Sequence, residues 1–273
     1  MKQLFQITGD GKESVQPVLS IRLGEKHCCF SISDFSTKQV DTLAYYSAEE
    51  ITEDVLQQLF NTHHELEKSF YQVLIGYDYP QSCLVSFKDY KHGDGNLLLN
   101  TMFGLDASSA LISEPIAAWQ LYNVYAVPAK VHECITKKFP TGKYWHQYTL
   151  SIKNTKVGNE GGSLLVDIRQ DNFTVLVSSN NQLMLAQTFL YATPDDVLYY
   201  LLKICQQFGL DQQQVLVELS GLIDKQSALY KELYQYFLQV ELRDAVWSVP
   251  AAANSESPAH FFTSLNDLSA CAL

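Results

Sequence analysis

The sequence predicts an α/β fold built from two similar units, each with the element order β-β-β-α-β. The first observation is a run of three strands between Ser163 and Phe189, in which Phe173, Val175 and Val177 alternate with the period of a strand. The second observation is that 18–44 repeats this pattern at one constant offset. The matched residues are Arg22 with Asp167, Gly24 with Arg169, Phe30 with Val175 and Ile32 with Val177. A repeat of about half the chain implies two similar subdomains and not a solenoid.

After its three strands, the first unit is predicted to continue with a helix from Glu49 to His63 and a strand from Phe70 to Tyr77. Ser47 and Glu50 have the spacing of a capping box, which indicates where this helix begins. The preceding segment 1–16 is polar. Its GDGKES stretch lacks the spacing of a phosphate-binding P-loop and does not follow a clear strand, so a P-loop is rejected.

The segment between the repeats is less regular. Its pattern predicts a strand or an ordered loop at 84–87, a helix at 97–103, a strand at 120–127, a helix from Pro128 to Phe139 and a strand at 145–153. A turn rich in Gly and Asn at 158–162 then leads into the second repeat. Placing the boundary at this turn gives two subdomains, 1–157 and 158–273.

The second unit continues with a helix whose ends are marked in the sequence. Thr193 and Pro194 are typical of a helix start, and Gly209 is typical of a helix end. A strand at 215–219, a helix at 227–238 and a strand at 240–246 are predicted to follow. Ala251 to Ala259 reads as a low-complexity linker, after which His260 to Leu273 is predicted to dock back through Phe261, Phe262, Leu265 and Leu268.

The composition excludes several classes of protein. The chain has 273 residues, 47% of them hydrophobic, and a formal net charge of −11. This charge repels phosphate backbones and anionic lipids, so we expect neither nucleic-acid binding nor membrane-surface binding as the main role. No apolar run reaches the roughly 18 residues of a membrane span, so we expect no membrane insertion. The N-terminus lacks an apolar signal segment, so we expect a cytoplasmic protein. The six cysteines form no CxxC pair, which argues against a zinc site.

Four stretches carry a resemblance to known proteins. They are VLSIRLG at 18–24, NVYAVP at Asn123 to Pro128, LLVDIRQDNF at 164–173 and the HFF…L..LSAC ending. With the two β-β-β-α-β units, they make the chain resemble the actin-like ATPase superfamily, and more narrowly an uncharacterised bacterial family that carries a domain-of-unknown-function label. The resemblance spans nearly the whole chain. It implies two RNase H-like subdomains in an actin-like arrangement with a cleft between them.

The resemblance also implies where a nucleotide would lie. In active members, two hairpin turns hold phosphates through backbone N–H groups, and an acidic residue near the first turn helps to hold a metal ion. The first motif, I-D-x-G, reads Ile21-Arg22-Leu23-Gly24 here, so that an arginine replaces the aspartate. The second, D-x-G-G-G-T, reads Asp167-Ile168-Arg169-Gln170-Asp171-Asn172 and has lost its glycines. The adenosine motif keeps one glycine, Gly221.

These departures decide which functions the sequence favours. Arginine cannot bind a metal, and Arg169 and Gln170 place bulk where backbone would approach phosphate, so we expect no ATP hydrolysis. The candidate site residues are Arg22, Gly24, Asp167, Asp171 and Gly221. Asp167 is either a remnant metal ligand or a strand-end aspartate that caps its turn. Arg22 either pairs with Asp167 or is solvated. Gly221 is interpreted as a turn glycine in preference to an adenine contact.

Three functional hypotheses follow. The first is a non-catalytic, degenerate actin-like protein that serves as a cytoplasmic binding or assembly module, with an unidentified protein partner and no cofactor. The second is an ATP-binding enzyme or nucleotide switch, in which Asp167 and Asp171 recruit magnesium for Mg-ATP. The third is a structural subunit that forms homo-oligomers. The number of glycines at the turns favours the first.

Overall fold

The computed structural model describes residues 1–9, 14–91, 93–105, 108–155, 159–247 and 258–271. The predicted α/β class is confirmed, with strands and helices mixed along the chain. The described residues divide into two compact units. The first comprises Met1–Leu150, Trp247 and the end of the chain from Leu268, and the second comprises Ser151–Val246 and Pro258–Asp267.

The first unit holds a six-stranded sheet, a three-stranded sheet and their helices. Its elements are β1 (Lys2–Thr8), β2 (Pro17–Gly24), β3 (His27–Asp34), β4 (Val40–Ser47), α1 (Glu53–Thr62), β5 (Gln72–Asp78), β6 (Ser82–Ser86), α2 (Gly95–Phe103), β7 (Ser109–Ile116), β8 (Leu121–Pro128), α3 (Ala129–Lys138), β9 (Lys143–His146) and α4 (Gln147–Lys153), the last of which runs into the second unit. Short 3₁₀ turns at His64–Glu67 and Ala117–Trp119 complete it.

The large sheet of the first unit has the strand order β1-β4-β3-β2-β5-β9. Strands β1 to β4 pair antiparallel, whereas β2, β5 and β9 run parallel. Helices α1 and α3 cover one face through side chains such as Leu56, Leu59 and Ile135, all with 0% exposure. The smaller sheet has the order β6-β8-β7 and packs against α2 through Leu99 and Val124.

The second unit repeats the pattern in a five-stranded sheet with the order β12-β11-β10-β13-β14. Its elements are β10 (Ser163–Ile168), β11 (Asn172–Ser179), β12 (Gln182–Leu190), α5 (Pro194–Phe208), β13 (Leu216–Gly221), α6 (Ala228–Tyr236), β14 (Gln239–Leu242), a 3₁₀ turn at Ala259–Phe262, and α7 (Thr263–Ala270), which continues into the first unit. The predicted β-β-β-α-β order is confirmed in both units.

In the second unit, the residues at the helix ends and in the hairpin turn have the structural roles that their types predict. Thr193 and Asp196 form a capping box at the start of α5, and Gly209 ends the helix with a φ of 66°. The β11–β12 hairpin turns at Asn180 and Asn181, whose φ values of 51° and 59° lie in the left-handed region that asparagine tolerates. Antiparallel pairing of β10 with β11 brings Asp167 opposite Thr174.

Residues 145–153, predicted as a strand, instead form the end of β9 followed by α4. From His146 to Ile152 every residue is buried. A helix buried on all sides has no polar face, so its sequence lacks the helical period on which a prediction depends. The prediction of a strand is therefore wrong here.

Two features of the first unit also differ from the prediction. Helix α1 begins later than expected, because Ser47 belongs to β4 and the cap is Thr52, whose hydroxyl accepts from the N–H of Val55. Segment 1–16 contains a strand, β1, which pairs with β4 through an irregular register between Gln3 and Phe5. That irregularity breaks the alternation of apolar residues, and most of β1 is not buried.

The C-terminal segment docks as predicted, with Phe262, Leu265 and Leu268 buried. Of the predicted linker 251–259, residues 251–257 lie outside the described part of the chain. No helix among the described residues has the length and apolar character needed to cross a membrane.

Candidate functional site

The turn between β2 and β3 carries the first cluster of buried charges. Arg22 is only 4% exposed, and its NH2 lies 2.7 Å from Oδ2 of Asp78. Parallel pairing of β2 with β5 places Gly24 opposite Asp78, which brings the ends of both strands together. Nε2 of His27 lies 3.2 Å from the same carboxylate oxygen. Of the two alternatives for Arg22, the solvated arginine is wrong, because this residue lies in a buried ion pair within the first unit.

Gly24 lies directly beneath the imidazole of His27. A Cβ atom added at Gly24 would lie 2.2 Å from Cε1 of His27, far inside van der Waals contact. The imidazole is held there by Asp78 and by stacking on Tyr45, with ring centroids 5.9 Å apart. The space that the missing side chain of Gly24 leaves at this turn is therefore filled by the imidazole of His27.

The turn between β10 and β11 is built around Arg169. Its NH1 donates to Oδ2 of Asp167 at 3.0 Å, its Nε to Asn172 Oδ1 at 2.5 Å and its NH2 to Thr174 Oγ1 at 2.5 Å. The side chain is 4% exposed and folds back over its own hairpin. Tyr191 closes the turn by donating its hydroxyl to the carbonyl oxygen of Arg169 at 2.6 Å. Burial raises the pKa of this tyrosine, so the hydroxyl stays protonated as a donor.

The carboxylate of Asp167 accepts hydrogen bonds from three directions. Oδ2 faces Arg169, while Oδ1 accepts from the hydroxyls of Ser220 on β13 and Ser264 on α7, each at 3.1 Å. Asp167 is 6% exposed. Ser264 was not predicted as part of this site, since it lies far along the chain in a segment whose apolar pattern indicated only docking.

Gly221, at the end of β13, and Asp171, in the turn between β10 and β11, both have structural contacts. Gly221 has a φ of 82°, and a Cβ atom there would lie 2.1 Å from the carbonyl oxygen of Ile168. That oxygen accepts from the N–H of Leu222 at 2.7 Å, so the glycine allows β13 to leave the sheet beside β10. Asp171 accepts from Nδ2 of Asn172 at 3.0 Å. The five predicted residues thus form two groups: Arg22 and Gly24 in the first unit, and Asp167, Asp171 and Gly221 in the second.

At each of these two turns, a carboxylate is already paired with an arginine of the chain. At the first turn a cation replaces the carboxylate that a metal would need, and at the second the carboxylate already faces a guanidinium. Within the described parts of the chain, no cluster of three or more His, Cys, Asp or Glu side chains is arranged to hold a metal ion. Desolvated, paired groups are costly to separate, so these side chains resist rearrangement into ligands.

Residues near the end of the chain complete the second cluster. Arg243, which follows β14, forms an ion pair with Asp267 of α7, and Thr263 donates its hydroxyl to the carbonyl oxygen of Arg243. His260 contacts the carbonyl oxygen of Ile223 through Nε2 at 2.6 Å. These contacts hold the start of α7 in the second unit, and with it the Ser264 hydroxyl that faces Asp167.

Comparison with known proteins assigns the family and confirms the fold. The chain belongs to the family described as Protein of unknown function (DUF3822), which matches residues 8–240. The chain is similar to a solved protein of Bacteroides thetaiotaomicron that has an actin-like ATPase fold and unknown function, with a TM-score of 0.79 and 19% identity over 96% of this chain and 98% of that one. No curated protein sequence matches the chain.

Two further solved structures share the fold at lower similarity. A chain of the PilM–PilN type IV pilus biogenesis complex has a TM-score of 0.57 and 9% identity, over 93% of this chain and 98% of its own. The ethanolamine utilization protein EutJ of Carboxydothermus hydrogenoformans has a TM-score of 0.50 and 8% identity, over 96% and 92%. Identities this low establish the actin-like ATPase fold alone.

Proposed function

We propose that this protein is a non-catalytic actin-like module that works in the cytoplasm by binding a protein partner or by taking part in an assembly. One observation carries the proposal: the chain's own paired side chains fill both turns at which the fold would expose backbone to phosphate. Arg22 and His27 share Asp78 at the first turn, and Arg169 faces Asp167 at the second.

The energetics of these clusters support the proposal. Separating a buried ion pair by removing one partner typically costs about 3–5 kcal/mol, because an uncompensated charge is left behind. A nucleotide would have to displace His27 from Gly24 and Arg169 from its hairpin before its phosphates reached the backbone. The chain keeps the fold, but side chains fill the turns that would hold phosphate, and this combination favours a scaffold. The PilM–PilN complex shows that one protein of this fold occurs in an assembly.

The alternative, a nucleotide switch with altered loops, needs a carboxylate that is available to magnesium. Asp167 accepts from Arg169, Ser220 and Ser264. These donors satisfy both carboxylate oxygens, which leaves the switch hypothesis without a favouring observation.

Phosphate release from Mg-ATP tests the catalytic part of the proposal, with the wild-type protein beside an Asp167→Asn variant. We expect both to match the rate of buffer alone. Release that requires magnesium and disappears in Asp167→Asn would overturn the non-catalytic assignment.

Chemical cross-linking in cells at native expression tests the binding part. We expect a cross-linked protein complex of fixed stoichiometry that persists after nucleotide depletion. Recovery of the uncross-linked monomer alone would contradict it.

A further inference from the structure

Strand β12 lies at one edge of the sheet of the second unit. Among the residues that the structure describes, no strand pairs with its outer side. In the first unit, β4 is the third strand of the repeat and so holds the equivalent place, and there the outer side pairs with β1. The fold thus covers this edge with an added strand in one unit and leaves it able to accept a strand in the other.

The other sheet edges carry features that discourage the addition of a strand. β9 and β14 have four residues each, and β6 has five. β7 includes Glu114 and Pro115, and β1 carries Lys2 and an irregular register. β12 runs for nine residues, QLMLAQTFL, without a charge, a proline or a glycine. Natural proteins protect exposed edges by shortness, charge, proline or irregularity, so this long uncharged edge indicates a site of strand addition.

The hydrogen bonds of β12 show which of its backbone groups point outward. Its pairing with β11 is irregular near Met184 and regular over 185–190. Directly after this segment, the N–H of Tyr191 donates to the carbonyl oxygen of Asp171 at 3.0 Å. Hydrogen-bonded pairs alternate along antiparallel strands. Ala186 and every second residue after it therefore direct their N–H and C=O groups away from β11.

The side chains of the regular segment match those of an identical antiparallel strand. Leu185 and Phe189 pack against the core that α5 covers, and Gln187 between them is exposed. Opposite residues of an antiparallel pair face the same side of the sheet, so a two-fold axis passes through a residue. An axis through Gln187 sets Leu185 of each copy opposite Phe189 of the other. An axis through Ala186 or Thr188 sets an apolar side chain opposite Gln187 instead, so the hydrophobic pattern favours the first register.

We infer that two copies of this chain associate through β12, which forms an antiparallel pair about a two-fold axis at Gln187 and joins two five-stranded sheets. The two glutamine amides at the axis each carry donors and an acceptor, so they complement each other. β12 has no charge, so the contact brings no like charges together, although each copy has a net charge of −11. The inference rests on the assembly part of the proposed function and names the partner.

Exposed apolar side chains lie beside the edge. Leu190, at the end of β12, is 72% exposed. On α5, Tyr199 is 61% exposed, and its ring centroid lies 5.6 Å from that of Tyr200, which stacks on Phe189 at 4.5 Å. A two-fold axis normal to the sheet keeps both α5 helices on one side, so these side chains border the strand pair. Tyrosine is enriched at protein interfaces, which fits a contact that extends beyond the strands.

Sedimentation velocity of the full-length protein over a range of concentrations tests the association. We expect a dimer with twice the chain mass of 30.9 kDa. Gln187→Lys and Gln187→Glu each place like charges opposite each other at the axis, so each should raise the dissociation constant of the dimer at least about tenfold. Gln58→Lys, an exposed change on α1, is the matched control and should dimerise like the wild type.

Mixing the two charged variants tests the axis itself. Equal amounts of Gln187→Lys and Gln187→Glu should form a mixed dimer, because opposite charges then meet at one position. This recovery also shows that both variants are folded. A monomeric wild type at every concentration, charged variants that dimerise like the wild type, or no recovery on mixing would each overturn the inference.

A disulfide trap tests the register. Gln187 bonds to β11 on its inner side, so its pair across the axis is a non-hydrogen-bonded one, with Cα atoms about 4.5 Å apart and within reach of a disulfide. Mild oxidation should cross-link Gln187→Cys above the background of the wild type, which has six cysteines. Gln182→Cys, exposed on the same strand but roughly 30 Å from its own copy, should stay at that background. Equal cross-linking at both positions, or none above background at Gln187→Cys, would refute this register.

The outcomes distinguish failure of this inference from failure of the proposed function. A purified chain that stays monomeric but gives a cross-linked complex in cells would overturn the self-pairing alone and assign the edge to a strand of another protein. A β12 dimer that also releases phosphate from Mg-ATP would support the self-pairing and overturn the non-catalytic assignment alone.

Discussion

Asp167 and Arg169 form a buried pair whose two charges depend on each other. Replacing Asp167 with Asn leaves the guanidinium of Arg169 without its carboxylate, although Asn172 and Thr174 still accept from it. We expect a loss of about 3–5 kcal/mol in the free energy of unfolding, as for other broken buried pairs. Urea unfolding measures it, with Glu160→Gln, an exposed change, as the control.

The double variant Asp167→Asn/Arg169→Gln completes a mutant cycle. It removes both charges together, so we expect it to be more stable than the sum of the two single losses predicts. If the loss in the double variant equalled the sum of the losses in Asp167→Asn and Arg169→Gln, a direct interaction between these side chains would be contradicted.

At Gly221, both the backbone conformation and the neighbouring backbone atoms exclude a side chain. Its φ of 82° disfavours any side chain, and a Cβ would lie 2.1 Å from backbone oxygen. Gly209 has a similar φ of 66° but open space around the added atom, so Gly209→Ala isolates the cost of conformation, about 1–2 kcal/mol. We expect Gly221→Ala to lower the thermal midpoint clearly further. Equal midpoints would show that β13 does not depend on this close approach.

At the scale of elements, α3 meets β5 through a pH-sensitive contact. The hydroxyl of Tyr77 lies 2.8 Å from Nδ1 of His132. Burial raises the pKa of Tyr77 and lowers that of His132, so the tyrosine donates to a neutral imidazole. Since the folded state binds this proton less readily than the unfolded chain, the contribution is intact above about pH 6.5 and is lost as pH falls through the folded-state pKa.

This linkage predicts a difference between the wild type and His132→Gln, which keeps an acceptor but does not titrate. Between pH 7 and pH 5, roughly the range in which histidine gains its proton, the free energy of unfolding of the wild type should fall more than that of the variant. Urea titrations at several pH values measure both slopes. Parallel slopes would exclude His132 as a source of the pH dependence.

The elements that the sequence predicts best are those whose signals are local. The cap at Thr193, the left-handed Gly209 and the alternation of β11 all depend on neighbours in the chain. Helix α4 was missed because its burial on every side removes the period that identifies a helix, and β1 because its irregular pairing with β4 breaks the alternation. Both causes lie in tertiary packing and not in the residues themselves.

At the scale of the whole molecule, the internal repeat predicts two α/β units with the same order of elements, and the resemblance to the actin-like ATPase superfamily implies the actin-like fold. A pattern that occurs twice fixes the order of elements in each unit, and that order excludes most other α/β folds. The site is different, because its partners come from distant parts of the chain. Asp78 reaches Arg22 from β5 and Ser264 reaches Asp167 from α7, and no spacing in the sequence relates these pairs.

The sequence shows that the motifs have lost glycines, but it does not show which side chains fill the turns. A turn without glycine could remain open with a rearranged backbone. Instead, His27 covers Gly24, and Arg169 occupies its own hairpin through three side-chain hydrogen bonds. The roles of the candidate residues in binding remain predictions, and they depend on whether these clusters open in the presence of a nucleotide.

Thermal unfolding with and without millimolar Mg-ATP is the most direct measurement of that question. A ligand present at 100 times its dissociation constant stabilises the native state by about 2.7 kcal/mol, which shifts the midpoint by several degrees. We predict no shift with Mg-ATP, Mg-ADP or Mg-GTP, because both turns are filled by paired side chains. A magnesium-dependent rise in the midpoint that Asp167→Ala abolishes would contradict the account and identify the protein as a nucleotide switch.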